Sequence, residues 1–406
     1  MEIGHKALVL DCGSGETKGM LFEAVSHDAE GYTISVAEVC KLGSLGDALA
    51  AEGGATSEAA AEFATKLAAL RAEHAPRTVA IGVSAWFRAA NAETLAAAAA
   101  FFDALGEGVA VLKLSTADEA KLEAAAVAHA AQRSGMGVPD VVMGSGGGSI
   151  QFTLFEDAAP AASFCIPKGF REGKGAIVTE GAAGMQAWSE AVQGMVASTM
   201  AEAGLGLQGG TAIAISACYY GACDAKIGGG ELAPAVAAED AASTFDAFTK
   251  KPTAVIRRDA SKTKNWSAEA KALSNATLQR ELFRTLLRPD CKVFFRRDWQ
   301  LPGASSDAPT VSFRTTWSAG WFLQLLVGTA AAAEDAEDAE DEKKEQQGAA
   351  PATPAPPAAA PQKASGSGGG VGRVLLFAGL AAAVGFGLKL YLKQKSGDGE
   401  TKAATH

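Results

Sequence analysis

The sequence predicts an α/β protein made of two lobes with similar architecture. Three strand patterns followed by alternating helix and strand patterns occur near the N-terminus, and the same series starts again after residue 136. Each series also begins with a strand, a turn rich in glycine and serine, and a second strand. With 406 residues, 48% of them hydrophobic, the chain is long enough to bury a core in each lobe.

The first lobe is predicted over residues 1–135. It begins with the strand patterns KALVLDC, GMLFEAV and YTISVAEVC. Apolar residues at helical spacing then predict helices at Thr56–Arg71, Ala92–Leu105 and Asp118–Ala131. The strand patterns TVAIGVS and VAVLKLS lie between these helices. The lobe therefore has three strands followed by helix–strand units.

The second lobe is predicted over residues 136–330. Its first strand patterns are VVM, SIQFTLFE and ASFCIP, and a helix at Gly184–Ala203 and the strand TAIAIS follow. The pattern of Gly228–Ser274 is weak, polar and helical in parts. Thr316–Val327, which contains WSAGWFLQLLV, is predicted to be a buried helix.

The composition changes after residue 331. Residues 331–372 are acidic and then rich in Pro, Ala and Gly, which predicts a disordered linker. Residues 373–393 contain the apolar run VLLFAGLAAAVGFGLKLYL, long enough for a transmembrane helix that binds a lipid bilayer. A short polar tail follows at 394–406. We therefore expect a single-pass tail anchor with the N-terminal part in the cytosol. The organelle stays open, although an outer mitochondrial or plastid envelope is favoured over the endoplasmic reticulum.

Several functional classes are disfavoured by composition. A net charge of −10 argues against a nucleic-acid partner, which would require a basic surface. The six cysteines have neither zinc-site nor thioredoxin spacing, and nothing at the N-terminus indicates secretion, so they are predicted to be reduced. No Gly-x-Ser-x-Gly motif supports a serine hydrolase.

The two glycine-rich turns are the strongest functional signal. They occur in LVLDCGSGETKGMLFE and in VMGSGGGSIQFTLFE, each between two strand patterns. Such a turn exposes main-chain N–H groups to an oxyanion, although one glycine-rich hairpin alone is more often a tight turn. Two turns at the starts of facing lobes would form a phosphate clamp. The predicted phosphate-binding residues are Gly13, Ser14, Gly15, Thr17, Lys18, Arg88, Gly146, Gly147 and Gly148.

These motifs resemble those of the actin-like ATPase superfamily. The segment Asp11–Lys18 looks like the first phosphate loop of the apyrases, the nucleoside triphosphate diphosphohydrolases. Gly146–Gln151 is similar to the second loop of apyrases and exopolyphosphatases. Gly82–Arg88 and Leu114–Leu122 resemble motifs between those loops, and the likeness spans about residues 6–328 in order. The resemblance implies two actin-like (ribonuclease H-like) lobes with a phosphate-binding cleft between them.

The resemblance, together with what hydrolysis of a phosphoanhydride requires, suggests a set of roles. Glu119 would be the catalytic base, with Gln151 orienting the attacking water and Ser149 beside it. Asp11 would hold Mg²⁺ or Ca²⁺, which suits an ion that keeps waters and substrate phosphates as ligands. Arg88 and Lys18 would neutralise phosphate charge. The nucleotide or polyphosphate would be the substrate.

Each assignment has a simpler alternative. Glu119 could be an acidic residue that stabilises a helix N-terminus, and Asp11 could bond only its own turn. Arg88 could form a surface ion pair, and Lys18 could be solvated. Trp317 is predicted to be a core residue, with a nucleobase contact as the alternative.

One position departs from the resembled pattern. The second loop of those families opens with aspartate, whereas this chain has Gly144, and Asp140 would face elsewhere on a continuous strand. Two hypotheses follow. One is a metal-dependent phosphoanhydride hydrolase, apyrase-like on nucleoside di- or triphosphates or acting on inorganic polyphosphate. The other is a catalytically impaired nucleotide- or phosphate-binding pseudoenzyme tethered to a membrane.

Overall fold

Two mixed β-sheets organise the chain in the computed structural model. The structure describes residues 3–13, 15–28, 31–106, 108–227, 235–250, 263–303 and 309–328, with the backbone alone at 263–267. Both sheets lie in one unit, Glu2–Phe322. The remainder of the chain forms a second unit, of which residues 323–328 are described.

The first sheet has five strands in the order β3-β2-β1-β4-β5. These strands are β1 Lys6–Cys12, β2 Thr17–Asp28, β3 Gly31–Leu42, β4 Thr78–Val83 and β5 Val109–Lys113. The first three form an antiparallel meander, and β4 and β5 continue the sheet in parallel from β1. All five strand patterns predicted for the first lobe are thus present.

The second sheet has six strands in the order β10-β11-β9-β6-β7-β8. These strands are β6 Val141–Ser145, β7 Ile150–Glu156, β8 Ala159–Ile166, β9 Thr211–Ser216, β10 Val236–Ala237 and β11 Lys292–Phe295. Strand β6 pairs antiparallel with β7 and parallel with β9, just as β1 pairs with β2 and β4. The two sheets therefore repeat one topology, which confirms the predicted α/β fold with two similar sheets.

Helices join these strands and cover the sheets. The helices are α1 Leu45–Ala50, α2 Glu58–His74, α3 Ala85–Ala89, α4 Ala92–Ala104, α5 Thr116–Arg133, α6 Phe170–Glu180, α7 Ala182–Glu202, α8 Ala217–Ala225, α9 Ala238–Thr249, α10 Thr263–Leu286 and α11 at residues 317–328. The predicted helices are all present to within three residues at each end. Helices α1, α3, α6 and α8 and strand β11 were not predicted, whereas α9, β10 and the first half of α10 fall within Gly228–Ser274, where the pattern was weak and helical in parts.

Side-chain caps fix where the longer helices begin. At α5, the Ser115 hydroxyl accepts from the Asp118 main-chain N–H, and the Asp118 carboxylate accepts from that of Ser115. Ser57 and Asn91 cap α2 and α4 in the same way through one side-chain oxygen each. The start of α5 matters most, because Glu119 lies in its first turn.

Each sheet packs its own hydrophobic core. Leu8, Leu10 and Ile81 from the first sheet are fully buried with residues from α2 and α4. Met143, Ile150 and other residues of the second sheet are buried with α7, α8 and α10. Alternating burial along β2 leaves one face of that strand available to a second layer.

The chain returns to the first sheet after it has built the second. A two-stranded ribbon, β12 Asp298–Leu301 with β13 Val311–Arg314, contacts β3 through an Arg314–Glu38 ion pair of 2.9 Å. In α11, the Phe322 ring lies 5.4 Å from that of Phe22 on β2. Part of the predicted second lobe thus packs on the first sheet, while the boundaries at 135 and 330 stay a prediction.

Several predictions fall outside the described residues. These are the linker at 331–372, the membrane anchor at 373–393, the tail at 394–406 and the side chain of Ser14. Within the described ranges, no helix has both the length and the apolar character to cross a membrane.

Candidate active site

The first glycine-rich turn connects β1 to β2. Its main chain closes through a hydrogen bond from Gly13 N to Glu16 O at 3.1 Å. Lys18 lies opposite Asp11 in the strand pairing, and its Nζ is 3.1 Å from Glu16 Oε1. The Thr17 side chain is fully buried, so it does not offer its hydroxyl at the surface of the turn.

Asp11 carries the carboxylate of this turn. Burial raises the pKa of Asp11 above its ordinary value, while a hydrogen bond from Trp317 and the charge of Lys18 act in the opposite direction. Trp317 is only 3% exposed, and its ring occupies the space in front of Gly82, the parallel neighbour of Asp11. Trp317 is therefore a core residue that positions Asp11.

The second glycine-rich turn connects β6 to β7. Gly146 N donates to Ser149 O at 2.8 Å, and Gln151 Nε2 donates to Ser149 Oγ at 2.7 Å. The side chains of Ser149 and Gln151 are both buried. The structure thus brings these two predicted catalytic residues into direct contact.

The start of α6 packs against the second turn. Main-chain N–H groups of Phe170 and Arg171 donate to the carbonyls of Gly146 and Gly147 at 3.2 and 3.1 Å. Gly169 has no room for a side chain, because a methyl group there would overlap the main chain of residues 146–148. Glycine is therefore needed before α6 for this close approach of two main chains.

The Arg171 side chain lies against both turns. A methyl group placed on Gly147 would be 2.7 Å from Arg171 Nε, and one on Gly15 would be 2.8 Å from Arg171 Nη2. Since one guanidinium contacts a glycine of each turn, the two turns face each other as predicted. Arg171 was not identified from the sequence, although a basic residue shortly after the third strand of a repeat was a signal to consider.

Glu119 lies at the start of α5 and contacts Arg88. Arg88 Nη2 is 3.4 Å from Glu119 Oε2, and Arg88 Nη1 donates to Leu114 O at 2.8 Å. The Glu119 side chain is 16% exposed. Burial raises the pKa of Glu119, the Arg88 guanidinium lowers it, and Asp11 raises it. Glu119, Arg88 and Asp11 are thus close enough to influence one another.

The second sheet presents a row of three residues toward α5. Gln151 is paired with Gly144 on β6 and with Cys165 on β8, so the three lie on one face. The Cys165 thiol makes a side-chain hydrogen bond to Thr116 in the first turn of α5, and burial raises its pKa to about 11. The first turn of α5 therefore lies over the strand that carries Gln151.

Glu123, one turn after Glu119, was not identified from the sequence. Its Oε2 lies 3.2 Å from the position that a methyl group on Gly144 would take. Burial raises the pKa of Glu123 well above its ordinary value, Glu119 and Asp11 raise it further, and a side-chain hydrogen bond with Ser216 lowers it. Its helical spacing of four from Glu119 was the signal that could have found it.

Asp140 lies directly before β6, at the end of that strand opposite to Gly144. Its Oδ2 accepts from Thr211 N at 2.7 Å, which anchors β9 beside β6. The expectation that Asp140 does not replace the carboxylate missing at Gly144 thus agrees with its position.

The donor set suits a divalent cation that is completed by solvent and substrate. Asp11 and Glu123 are carboxylates whose mutual repulsion a cation would relieve. In the part of the chain that the structure describes, no three His, Cys, Asp or Glu side chains form a complete metal cage. Mg²⁺ ordinarily binds through one or two carboxylates, waters and phosphates, so the residues present fit it.

Solved structures with the same fold are known. A Ppx/GppA family member from Aquifex aeolicus is similar with a TM-score of 0.54 and 13% identity, covering 79% of this chain and 97% of that one. An exopolyphosphatase from Cytophaga hutchinsonii is similar with a TM-score of 0.51 and 14% identity, covering 80% and 98%. The fold is that of the Ppx/GppA proteins. No protein-family model and no curated protein matches the sequence.

The comparison agrees with the exopolyphosphatase side of the predicted resemblance. It covers nearly the whole length of both solved chains, 97% and 98%. At 13% and 14% identity it establishes the fold and leaves the chemistry to the residues of the site. The roles of the predicted site residues stay predictions.

Proposed function

We propose that this protein hydrolyses terminal phosphoanhydride bonds of inorganic polyphosphate or of nucleoside di- and triphosphates. The observation that carries the proposal is the shared guanidinium of Arg171, which lies against Gly15 of one turn and Gly147 of the other. One guanidinium thus lies between two glycine-rich turns, an arrangement suited to a chain of phosphates. The solved structures with the same fold include an exopolyphosphatase, which favours polyphosphate as the substrate.

The described residues can divide the reaction among themselves. Glu119 takes a proton from a water molecule held by the Gln151 amide, whose Nε2 is fixed by Ser149. The water oxygen attacks the terminal phosphorus, and the bond from phosphorus to the bridging oxygen breaks. Arg88 and Arg171 stabilise the negative charge on the transferring and leaving oxygens.

The raised pKa of Glu119 suits this role. A base whose pKa is above that of an ordinary glutamate accepts a proton more readily in the transition state. Arg88 favours the charged form of the carboxylate, which is the form that accepts a proton. A bound Mg²⁺ or Ca²⁺ would add charge neutralisation on the phosphate oxygens, with Asp11 as its ligand.

Phosphate release tests the proposal. We expect the purified full-length protein with Mg²⁺ or Ca²⁺ to release phosphate from polyphosphate, ATP, ADP or GDP. Glu119→Gln should lower the rate by about 10²–10⁴-fold, the usual contribution of a general base. Glu62→Gln is a matched control on the exposed surface of α2, and it should leave the rate unchanged. Release that is equal for Glu119→Gln and the unchanged protein would contradict the proposal.

Gly144 favours a second candidate, a binding protein without turnover. Because glycine has no side chain, strand β6, which leads into the second turn, has no carboxylate at this position. In that case the protein would bind polyphosphate or nucleotide, measured by calorimetry, and release no phosphate. We also propose that residues 373–393 anchor the protein to a membrane, and their deletion should move it from the membrane fraction to the soluble fraction.

A further inference from the structure

The two sheets define equivalent positions at the two turns. Asp11 is the next-to-last residue of β1, where it faces Lys18 across the antiparallel pair and Gly82 across the parallel pair. Gly144 is the next-to-last residue of β6, where it faces Gln151 and Ile215 in the same two directions. The internal repeat therefore places Gly144 where the first half has a carboxylate.

We propose that Glu123 supplies, from α5, the carboxylate that strand β6 lacks, and so completes a divalent cation site with Asp11. This inference deepens the proposed function and rests on it for the identity of the substrate. Glu123 is outside the turns themselves, and neither the glycine-rich motifs nor the strand repeat includes it.

The position of the Glu123 carboxylate supports this cation site. Glu123 Oε2 lies 3.2 Å from where the β-carbon of a residue at 144 would be. The side chain of an aspartate at residue 144 would begin at that β-carbon. Glu123 therefore places its carboxylate next to the same point, but from α5 instead of from β6. Glycine at 144 is what makes the room, because any side chain there would contact Oε2 at a distance tighter than is usual.

The charges around Glu123 also support a cation site. Asp11 and Glu119 are the charged groups that act on it, and both are negative. Among the described residues, no Lys, Arg or His forms an ion pair with Glu123, whereas Glu119 has Arg88. A partly buried carboxylate that faces two others is costly unless a proton or a cation neutralises it.

A polar residue of β9 lies beside Glu123. Ser216, the residue after Ile215, is close enough to lower the pKa of Glu123. Ser216 has a positive φ of 57°, a conformation that non-glycine residues rarely adopt. The main chain is thus bent where it meets Glu123, as is common at functional sites.

Binding of Mn²⁺ to the full-length protein without substrate tests this inference. Mn²⁺ is a spectroscopic substitute for Mg²⁺, and electron paramagnetic resonance counts the bound and free ion even at weak affinity. We expect Glu123→Gln to weaken Mn²⁺ binding by roughly tenfold or more, because affinity follows the number of charged ligands. Glu62→Gln, on an exposed helix face, should bind as the unchanged protein does.

A transfer of the carboxylate gives the sharper result. The double variant Glu123→Ala/Gly144→Asp should bind Mn²⁺ within about threefold of the unchanged protein, whereas Glu123→Ala alone should bind roughly tenfold more weakly or worse. Thermal unfolding in EDTA checks that each variant folds, and Glu123→Gln serves if Glu123→Ala does not. The inference is overturned if the unchanged protein binds no Mn²⁺, if Glu123→Gln binds as tightly, or if Gly144→Asp fails to restore binding.

The result is separable from the proposed hydrolysis. Glu119→Gln should abolish phosphate release while it keeps Mn²⁺ binding. Metal binding that depends on Glu123, without any phosphate release, would support the cation site and contradict the proposed hydrolysis. Phosphate release together with Mn²⁺ binding that does not depend on Glu123 would support the hydrolysis and contradict the cation site.

Discussion

The two glycine-rich hairpins share a topology but are supported in different ways. In the first, β1–β2, the strand itself carries Asp11, and a buried Trp317 ring packs in front of Gly82. In the second, β6–β7, the strand carries Gly144, and the main chain at the start of α6 packs directly under the turn. A side chain from another element thus packs beside the first hairpin, whereas the main chain of another element packs against the second.

At both hairpins a carboxylate lies close to the equivalent strand position, but the two carboxylates come from different elements. The first hairpin provides its carboxylate from the strand, whereas at the second a carboxylate from α5 reaches the space in front of Gly144. A helix that passes over the face of a sheet can place a side chain where a strand residue would otherwise project. A missing residue in a motif therefore does not by itself establish a missing group in the site.

The largest effect is expected at the support of the second hairpin. Gly169→Ala should lower the free energy of unfolding by about 3 kcal/mol or more, because the new methyl group overlaps main-chain atoms of residues 146–148 that cannot rotate away. Denaturant unfolding of the full-length protein measures this change. Gly175→Ala is the matched control in the same helix, since nothing lies within 4 Å of it and alanine favours a helix. A stable Gly169→Ala protein would show that the turn is held elsewhere.

Gly82 on β4, which lies beside the first hairpin, should respond less to the same substitution. Gly82→Ala places a methyl group inside the Trp317 ring, and overpacking of this kind costs about 1–3 kcal/mol. Because the obstacle is one side chain, Trp317→Leu should recover part of the loss in the double variant. Unfolding of the two single variants and the double variant measures the coupling. Strictly additive losses would mean that the ring does not limit residue 82.

Much of the fold could be predicted from the sequence. Strand β7 and the strands of the first lobe have alternating or continuous apolar residues next to glycine-rich turns, so local pattern and tertiary structure agree. Helix α6 was missed because KGFREGKGAIVTE contains three glycines, which are poor helix formers. Its position under the second turn, rather than its intrinsic preference, accounts for its being helical.

The site was predictable where residues lie on the motifs themselves. Glu119, Gln151 and Ser149 are close to where the motifs placed them, on α5 and the second hairpin. Arg171 and Glu123 were missed since their contacts with Gly147 and Gly144 are between elements distant in the chain. Spacing along the sequence does not encode how α6 and α5 approach the second sheet.

The contact between the hairpins offers a finer comparison. Gly147→Ala would place a methyl group 2.7 Å from Arg171 Nε, near the stem of the side chain, so the guanidinium must move. We expect binding of tripolyphosphate to weaken by roughly tenfold, a loss of about 1.4 kcal/mol. In Gly15→Ala the methyl group meets only the flexible end of Arg171, at Nη2, and the loss should be smaller.

A double-variant cycle identifies the cause of that loss. If the guanidinium is responsible, Gly147→Ala should cost little in an Arg171→Ala background. Gly148→Ala is the control within the same turn, because its methyl group would be 3.6 Å from Ala85, an ordinary contact. Calorimetric titration of the four proteins with tripolyphosphate measures the coupling. Equal losses with and without Arg171 would assign the effect to the turn alone.

The smallest effect concerns the charge that only the first strand carries. Burial raises the pKa of Asp11 above the value near 3.8 of an unfolded chain, so the folded protein binds the proton more tightly. Stability of the metal-free protein should therefore fall as the pH rises from about 3.8 through the folded-state pKa. Asp11→Asn keeps an acceptor for the Trp317 N–H and has no proton to lose.

The variant should accordingly be more stable than the unchanged protein at pH 7 in EDTA. Denaturant unfolding between pH 4 and 8 measures the two curves, which should converge at the acidic end. Added Mn²⁺ should reverse the order, because only the carboxylate binds the ion strongly. Parallel curves across this range would mean that Asp11 is as well solvated in the folded chain as in the unfolded one, and the two strand ends would then not differ in electrostatic cost.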